Sequence, residues 1–159
     1  MVSSRSFADE LIGRLMSSES IAIAADHGGL VLKRTLTQIL RKNGSDVLDL
    51  GTADEASVDY PDYAAKVVEA ISDGRAERGI LLCGSGIGMS IAANRHSGIR
   101  AALVHDVEMA RLCRQHNDAN ILVMGGRMID DETAIACLDA FLATAFEGGR
   151  HQRRVNKLD

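Results

Sequence analysis

Gly79-Ile80-Leu81-Leu82-Cys83-Gly84-Ser85-Gly86-Ile87-Gly88 runs from an unbroken apolar stretch into a turn of alternating glycines, and Met89-Ser90-Ile91-Ala92-Ala93-Asn94 continues it as a helix. A strand that turns through glycines into a helix gathers bare backbone N–H groups and the positive end of a helix dipole at one point. Such a point suits an anion: a phosphate, or an enediolate or oxyanion that exists only during reaction. Here the turn also carries a thiol at its first position and a hydroxyl two residues on. Glycines alone are a common pattern, so the weight falls on what the rest of the chain brings to this turn.

Outward from it the same alternation repeats. Ile21-Ala22-Ile23-Ala24-Ala25 is short and apolar without a polar face, as expected of a parallel strand covered on both sides. Asp26-His27-Gly28-Gly29 turns it into a helix predicted over about 30–43, where Leu32, Leu36, Ile39 and Leu40 recur at helical spacing and Gly44 ends the run. Val47-Leu48-Asp49-Leu50 reads as the second strand. After an acidic loop the only proline, Pro61, can open a helix over about 61–73. The helix starting in the glycine turn is predicted to reach about 96. Arg100-Ala101-Ala102-Leu103-Val104 and Ile121-Leu122-Val123-Met124 are the fourth and fifth strands, with helices over about 106–115 and 130–146.

Strands alternating with helices through short connections imply βαβ units, hence a three-layer α/β/α domain with a five-stranded parallel sheet. The 159 residues suffice for one such domain. Ligands of open parallel sheets sit at the carboxyl ends of the strands, and polar groups collect there in this chain. Asp26 and His27 follow the first strand, Cys83 and Ser85 the third, His105 and Asp106 the fourth, and Arg127 the fifth. The expected division is an N-terminal extension at 1–19, the domain at 20–147 and an arginine-bearing tail at 148–159. Within 5–17, Phe7, Leu11, Ile12, Leu15 and Met16 form one helical stripe. Asp9, Glu10 and Glu19 set it apart from an acid-poor targeting presequence, so an amphipathic helix packing on the domain or on a partner is expected.

A net charge of −4 argues against a general nucleic-acid binder. No apolar stretch approaches the roughly 20 residues needed to span a bilayer. Cys83, Cys113 and Cys137 are odd in number and widely spaced, which suits a reducing cytoplasm better than a disulfide framework. No Cys and His residues stand at zinc-ligand spacing, and GxxxxGK[ST] is absent. The first turn, AADHGG, lacks the GxGxxG of dinucleotide binding.

The remaining candidates each carry two readings. Asp26 can be a helix cap or a site residue, with His27 beside it. Cys113 and Cys137 fall inside helices and read as small core hydrophobes. Cys83 differs by position: at the mouth of a helix a thiol is favoured as thiolate, the form that acts as a base. His116, in Arg114-Gln115-His116-Asn117-Asp118, either complements a helix dipole or serves as a general acid, in a loop expected one strand away from the cysteine. Arg150 and Arg154 stand one helical turn apart; with Arg127 they offer three guanidinium groups for a phosphate.

Residues 20–155 resemble the ribose-5-phosphate isomerase B family, which includes the galactose-6-phosphate isomerase subunits. The resemblance rests on ADHGG at 25–29, DYPDYA at 59–64, CGSGIGMSIAANR at 83–95, RQHNDAN at 114–120, GGR at 125–127 and GGRHQRRV at 148–155. It implies a Rossmann-like domain that works as a homodimer with shared sites, some members pairing further into tetramers. By this likeness Cys83 is the base moving a proton between C2 and C1 of an open-chain sugar, and Ser85 relays protons between O1 and O2. Backbone N–H groups of Gly84, Gly86, Ile87 and Gly88 stabilise the enediolate, and His116 assists ring opening. Asn117, Asp26 and His27 bind the sugar, Tyr60 lines the site, and Arg127, Arg150 and Arg154 grip the phosphate. The implied reaction needs no cofactor and no metal. Ribose 5-phosphate is the leading substrate; other sugar phosphates (of allose, galactose or erythrulose) or a non-catalytic binding subunit are the alternatives.

Overall fold

The computed structural model of the protein describes residues 18–159, and the amphipathic helix expected over 5–17 lies outside the described residues. Five strands form one sheet: β1 (Ser20–Ala25), β2 (Asp46–Asp49), β3 (Arg78–Cys83), β4 (Ala101–Leu103) and β5 (Ile121–Gly125). Their order is β2-β1-β3-β5-β4 and every neighbouring pair is parallel. The five-stranded parallel α/β architecture expected from the alternation is the one observed. The chain leaves β1 toward β2 on one side and reaches β3 on the other, so the strand order reverses between β1 and β3. In register, Ala25 lies opposite Leu82 and Cys83 opposite Gly125. The switch point where such sheets bind ligands is therefore flanked by Asp26 and Cys83.

Six helices cover the sheet among the described residues: α1 (Leu30–Lys42), α2 (Tyr60–Ser72), α3 (Ile87–Ala93), α4 (Val107–Gln115), α5 (Asp131–Ala143) and α6 (Arg150–Val155). Alternate residues of β1 feed opposite cores. Ile21, Ile23 and Ala25 pack with Leu32, Leu36 and Leu40 of α1 and with Leu138 and Phe141 of α5. Ala22 and Ala24 pack with Val67 and Val68 of α2 and with Met89 and Ala93 of α3. A strand buried on both faces has no reason to alternate polar and apolar residues, which is why its sequence reads as a continuous apolar run.

Several boundaries differ from expectation for identifiable reasons. β2 begins one residue early, at Asp46, where its N–H bonds the Glu19 carbonyl oxygen at 3.1 Å. α3 stops at Ala93 rather than near 96 because Asn94 is recruited elsewhere. Its side-chain amide donates to the Ala101 carbonyl at 2.8 Å and its oxygen accepts from the Ala101 N–H at 2.7 Å. α5 ends at Ala143: Thr144 is extended, and its carbonyl accepts from Arg114 Nε at 3.2 Å. The tail after the double glycine carries α6, which does set Arg150 and Arg154 one helical turn apart. Asp26 is not a helix cap. Gly29 holds that position, and Asp26 Oδ1 instead accepts from the Gly28 N–H at 2.9 Å within the turn.

Candidate active site

Three turns at the carboxyl edge of the sheet are stitched together by backbone hydrogen bonds. The Asp26 N–H donates to the Leu82 carbonyl at 3.2 Å, Gly126 N–H to the Cys83 carbonyl at 2.7 Å, and Arg127 N–H to the Gly84 carbonyl at 3.0 Å. The stitching demands glycine at two points. Gly86 adopts φ +80°, a left-handed conformation that other residues reach only at a cost. Gly125 passes so close to the Cys83 turn that a Cβ would lie 2.6 Å from the Ser85 carbonyl.

The result is a cleft of about 410 Å³ lined by Asp26, Tyr60, Cys83, Gly84, Ser85, Gly88, Arg127 and Met128. Cys83 is buried at its floor, and Sγ accepts the Gly86 N–H at 3.1 Å. That amide belongs to the residue that caps the start of α3, so the sulfur sits at the mouth of the helix. Ser85 is exposed at the rim and its Oγ accepts the Ile87 N–H at 3.3 Å. Two of the four amides expected to face an enediolate, those of Gly86 and Ile87, are thus engaged by side chains of the turn itself. Gly84, Ser85 and Gly88 have N–H groups with no acceptor among the described residues, so two of the expected four amides remain free and that of Ser85 joins them. The Tyr60 ring forms a wall so near Gly88 that a Cβ there would meet Cζ at 2.6 Å. Arg127 reaches over Gly84, with a guanidinium nitrogen 3.2 Å from where a Cβ would stand.

Asp26 is only 8% exposed, held by its bond to the Gly28 amide. His27 does not line the cleft. Its Nδ1 accepts from the Val58 N–H at 3.2 Å, which places the proton of the neutral ring on Nε2 and ties down the loop before α2. Ile87 turns away into a neighbouring hollow of about 420 Å³ that it shares with Leu103, His105 and Ile129. Met128, which borders both spaces, has no distinguishing feature in the sequence beyond following GGR.

The remaining expected residues form a second group. His116, Asn117, Arg150 and Arg154 line a hollow of about 480 Å³ with His151, Val155 and Leu158. The loop of this hollow leads into the strand next to that of Cys83, as expected, but lies at the opposite, amino end of the sheet. A helix returns the chain to the amino end of the next strand, so the loop after α4 leads into β5 at Ile121, whereas Cys83 lies opposite Gly125 at its far end. At about 3.3 Å per residue the two ends of β5 are ~13 Å apart. Arg127 is consequently separated from Arg150 and Arg154, and Cys83 from His116, within one chain.

His116 caps the C-terminus of α4 and stacks on His151, ring centroids 4.3 Å apart and planes inclined by 11°. Burial, together with the neighbouring His116, Arg150 and Arg154, pushes the His151 imidazole below its ordinary value, against the opposing pull of Glu147. Here spacing along the sequence misses a cluster: His116, Glu147 and His151 bring nitrogen and oxygen donors within 4.8 Å of one another. Imidazole lone pairs lie in the ring plane, however, and nearly parallel stacked planes do not converge on one ion. Among the described residues no helix is long and apolar enough to cross a membrane.

The family described as Ribose/Galactose Isomerase matches residues 21–158. Ribose-5-phosphate isomerase B of Escherichia coli is 44% identical over 88% of this chain and 94% of its own length. A Rickettsia bellii relative, 51% identical over 91% of this chain and 100% of its own, carries the broader designation of sugar phosphate isomerase. The crystal structure of a Thermotoga maritima ribose 5-phosphate isomerase superposes with a TM-score of 0.88 at 55% identity, covering 90% of this chain and 99% of that one. A Mycoplasma genitalium ribose-5-phosphate isomerase B, solved with bound ribulose-5-phosphate, gives 0.84 at 43% identity over 89% and 94%. With the cleft, the parallel sheet and the matched length in agreement, the chain belongs to the ribose/galactose isomerase family, enzymes of the aldose–ketose isomerase class.

Proposed function

We propose that this protein interconverts ribose 5-phosphate and ribulose 5-phosphate through an enediolate, without a cofactor, in sites each built from two copies of the chain. The observation that carries the reading is Cys83 Sγ held at 3.1 Å from the Gly86 N–H in the floor of the cleft. In the open-chain aldose the Cys83 thiolate takes the C2 proton; the electron pair moves into a C1–C2 double bond and negative charge develops on O1. The unengaged N–H groups of Gly84, Ser85 and Gly88 stabilise that oxygen, a contribution of order 10²–10³ in rate per donor. Ser85 relays the proton between O2 and O1, and Cys83 returns its proton to C1. Every proton taken is given back, so the step balances without a redox partner.

Ring opening falls to His116, with Asn117 holding hydroxyl oxygens, and Arg127, Arg150 and Arg154 hold the phosphate; Asp26 orients the sugar. These groups lie at two edges of one sheet, which supports a shared site. Helix α3 joins the two: Gly88 at its start borders the cleft, and Asn94 at its end borders a space that shares Asn117 and Leu158 with the His116 hollow. Its outward residues Ile87 and Ile91 are apolar and 54% and 59% exposed. Packing α3 antiparallel on its copy about a two-fold axis buries both and sets the cleft of one chain against the hollow of the other. All three cysteines are unpaired, which fits a cytoplasmic enzyme.

The family description spans galactose as well as ribose, so another sugar phosphate is the second reading. Purified protein assayed against four-, five- and six-carbon sugar phosphates separates the two, and turnover of none removes both. Cys83→Ala is expected to abolish isomerisation while sugar-phosphate binding survives; undiminished turnover would remove Cys83 as the base.

A further inference from the structure

We infer that His151 is a positioning residue for His116, fixing by stacking the plane in which that ring meets the substrate. The inference rests on the reading of His116 as the ring-opening group. A histidine at the last position of a helix, beside the exposed Asn117, has little of its own to hold its ring. What holds it is His151, 8% exposed, lying face to face at 4.3 Å and 11°.

The backbone is built to deliver that face. Gly148 and Gly149 both have positive φ, +66° and +54°, and the Gly149 ψ of −128° belongs to a region that side chains essentially forbid. Two such residues in succession reverse the chain onto α6, whose first turn then sets His151 against α4. The segment is anchored at both sides: the Glu147 N–H donates to the Gln115 carbonyl at 3.1 Å, and the His151 N–H to the Gly148 carbonyl at 3.0 Å. Glu147 also places a carboxylate oxygen 3.7 Å from His151 Nε2, biasing the edge of the ring that faces it. Within the same six-residue helix Arg150 and Arg154 project into the hollow. One short element thus carries both a phosphate grip and the support for the ring-opening group, so the two cannot drift apart. A displacement of His116 by an ångström would be enough to cost about 10²-fold in rate.

The test compares His151→Leu, which fills the space without a flat ring, with His151→Phe, which keeps the flat face but no nitrogen. With ribose 5-phosphate as substrate, the Leu variant should lose roughly tenfold or more in kcat with KM little changed, and the Phe variant should recover most of it. In proton NMR the His116 ring C–H signals, assigned by their loss in His116→Gln, should shift downfield in the Leu variant as the stacked ring is removed. Equal kcat in wild type and the Leu variant, or no recovery in the Phe variant, overturns the inference. If His116→Gln itself leaves turnover intact, the ring-opening reading fails instead; the NMR shift still reports whether His151 holds the ring.

Discussion

The amide of Gly126 donates to the carbonyl oxygen of Cys83 at 2.7 Å, locking the turn after β5 to the residue assigned as base. Arg127 follows in the same turn, so the guanidinium proposed to hold the phosphate and the thiol share one rigid frame. Gly125 makes the contact possible, since a Cβ there would stand 2.6 Å from the Ser85 backbone. Gly125→Ala is therefore expected to destabilise the fold by about 1–3 kcal/mol through overpacking. It should also lower kcat far more than an alanine placed on the exposed surface would. Urea unfolding together with steady-state kinetics checks both.

Two inactive variants should restore one another if the site is shared. In a mixed dimer of Cys83→Ala and His116→Ala, one site carries both defects and the other carries neither. Random co-assembly should then regain about a quarter of wild-type activity. If each chain held a complete site, co-expression would regain nothing.

Thiol reactivity should single out Cys83. Burial pushes the Cys113 and Cys137 thiols up to about 11, leaving about one thiolate in a thousand at pH 8. Brief treatment with iodoacetamide, followed by peptide mass spectrometry, should find the label on Cys83 and loss of turnover in step with it. Preferential labelling of either helical cysteine would contradict this.

Acid should weaken the fold partly through His151. Its folded-state value lies below the ordinary 6.5 because of burial and of His116, Arg150 and Arg154 around it, with Glu147 opposing. As pH falls below 6.5 the unfolded chain takes up a proton at this position before the folded one does. The stability it contributes is present above that pH and is lost as pH falls through the folded-state value. Urea midpoints measured from pH 8 to 5 should drop further in wild type than in His151→Phe.

Much of this was open to reading in the chain itself. Residues that follow β1, β3 and β5 must share one edge of a parallel sheet, and so the meeting of Asp26, Cys83, Ser85 and Arg127 follows from strand order alone. The same rule, applied to His116, would have sent it to the other edge, because it follows a helix. The stack of His151 on His116 left no local trace, since it depends on two glycine conformations and the length of α5. Asn94 likewise reads as one more helical residue until β4 passes beside it.

That asparagine has a wider consequence. In β4, Ala101 and Leu103 turn their backbone groups away from β5, and Asn94 occupies both those of Ala101. A single residue remains to recruit another strand, too little for a β-ladder to start. The β4 edge of the sheet is thereby closed by a side chain, so that further growth of the sheet by strand pairing is blocked on this side.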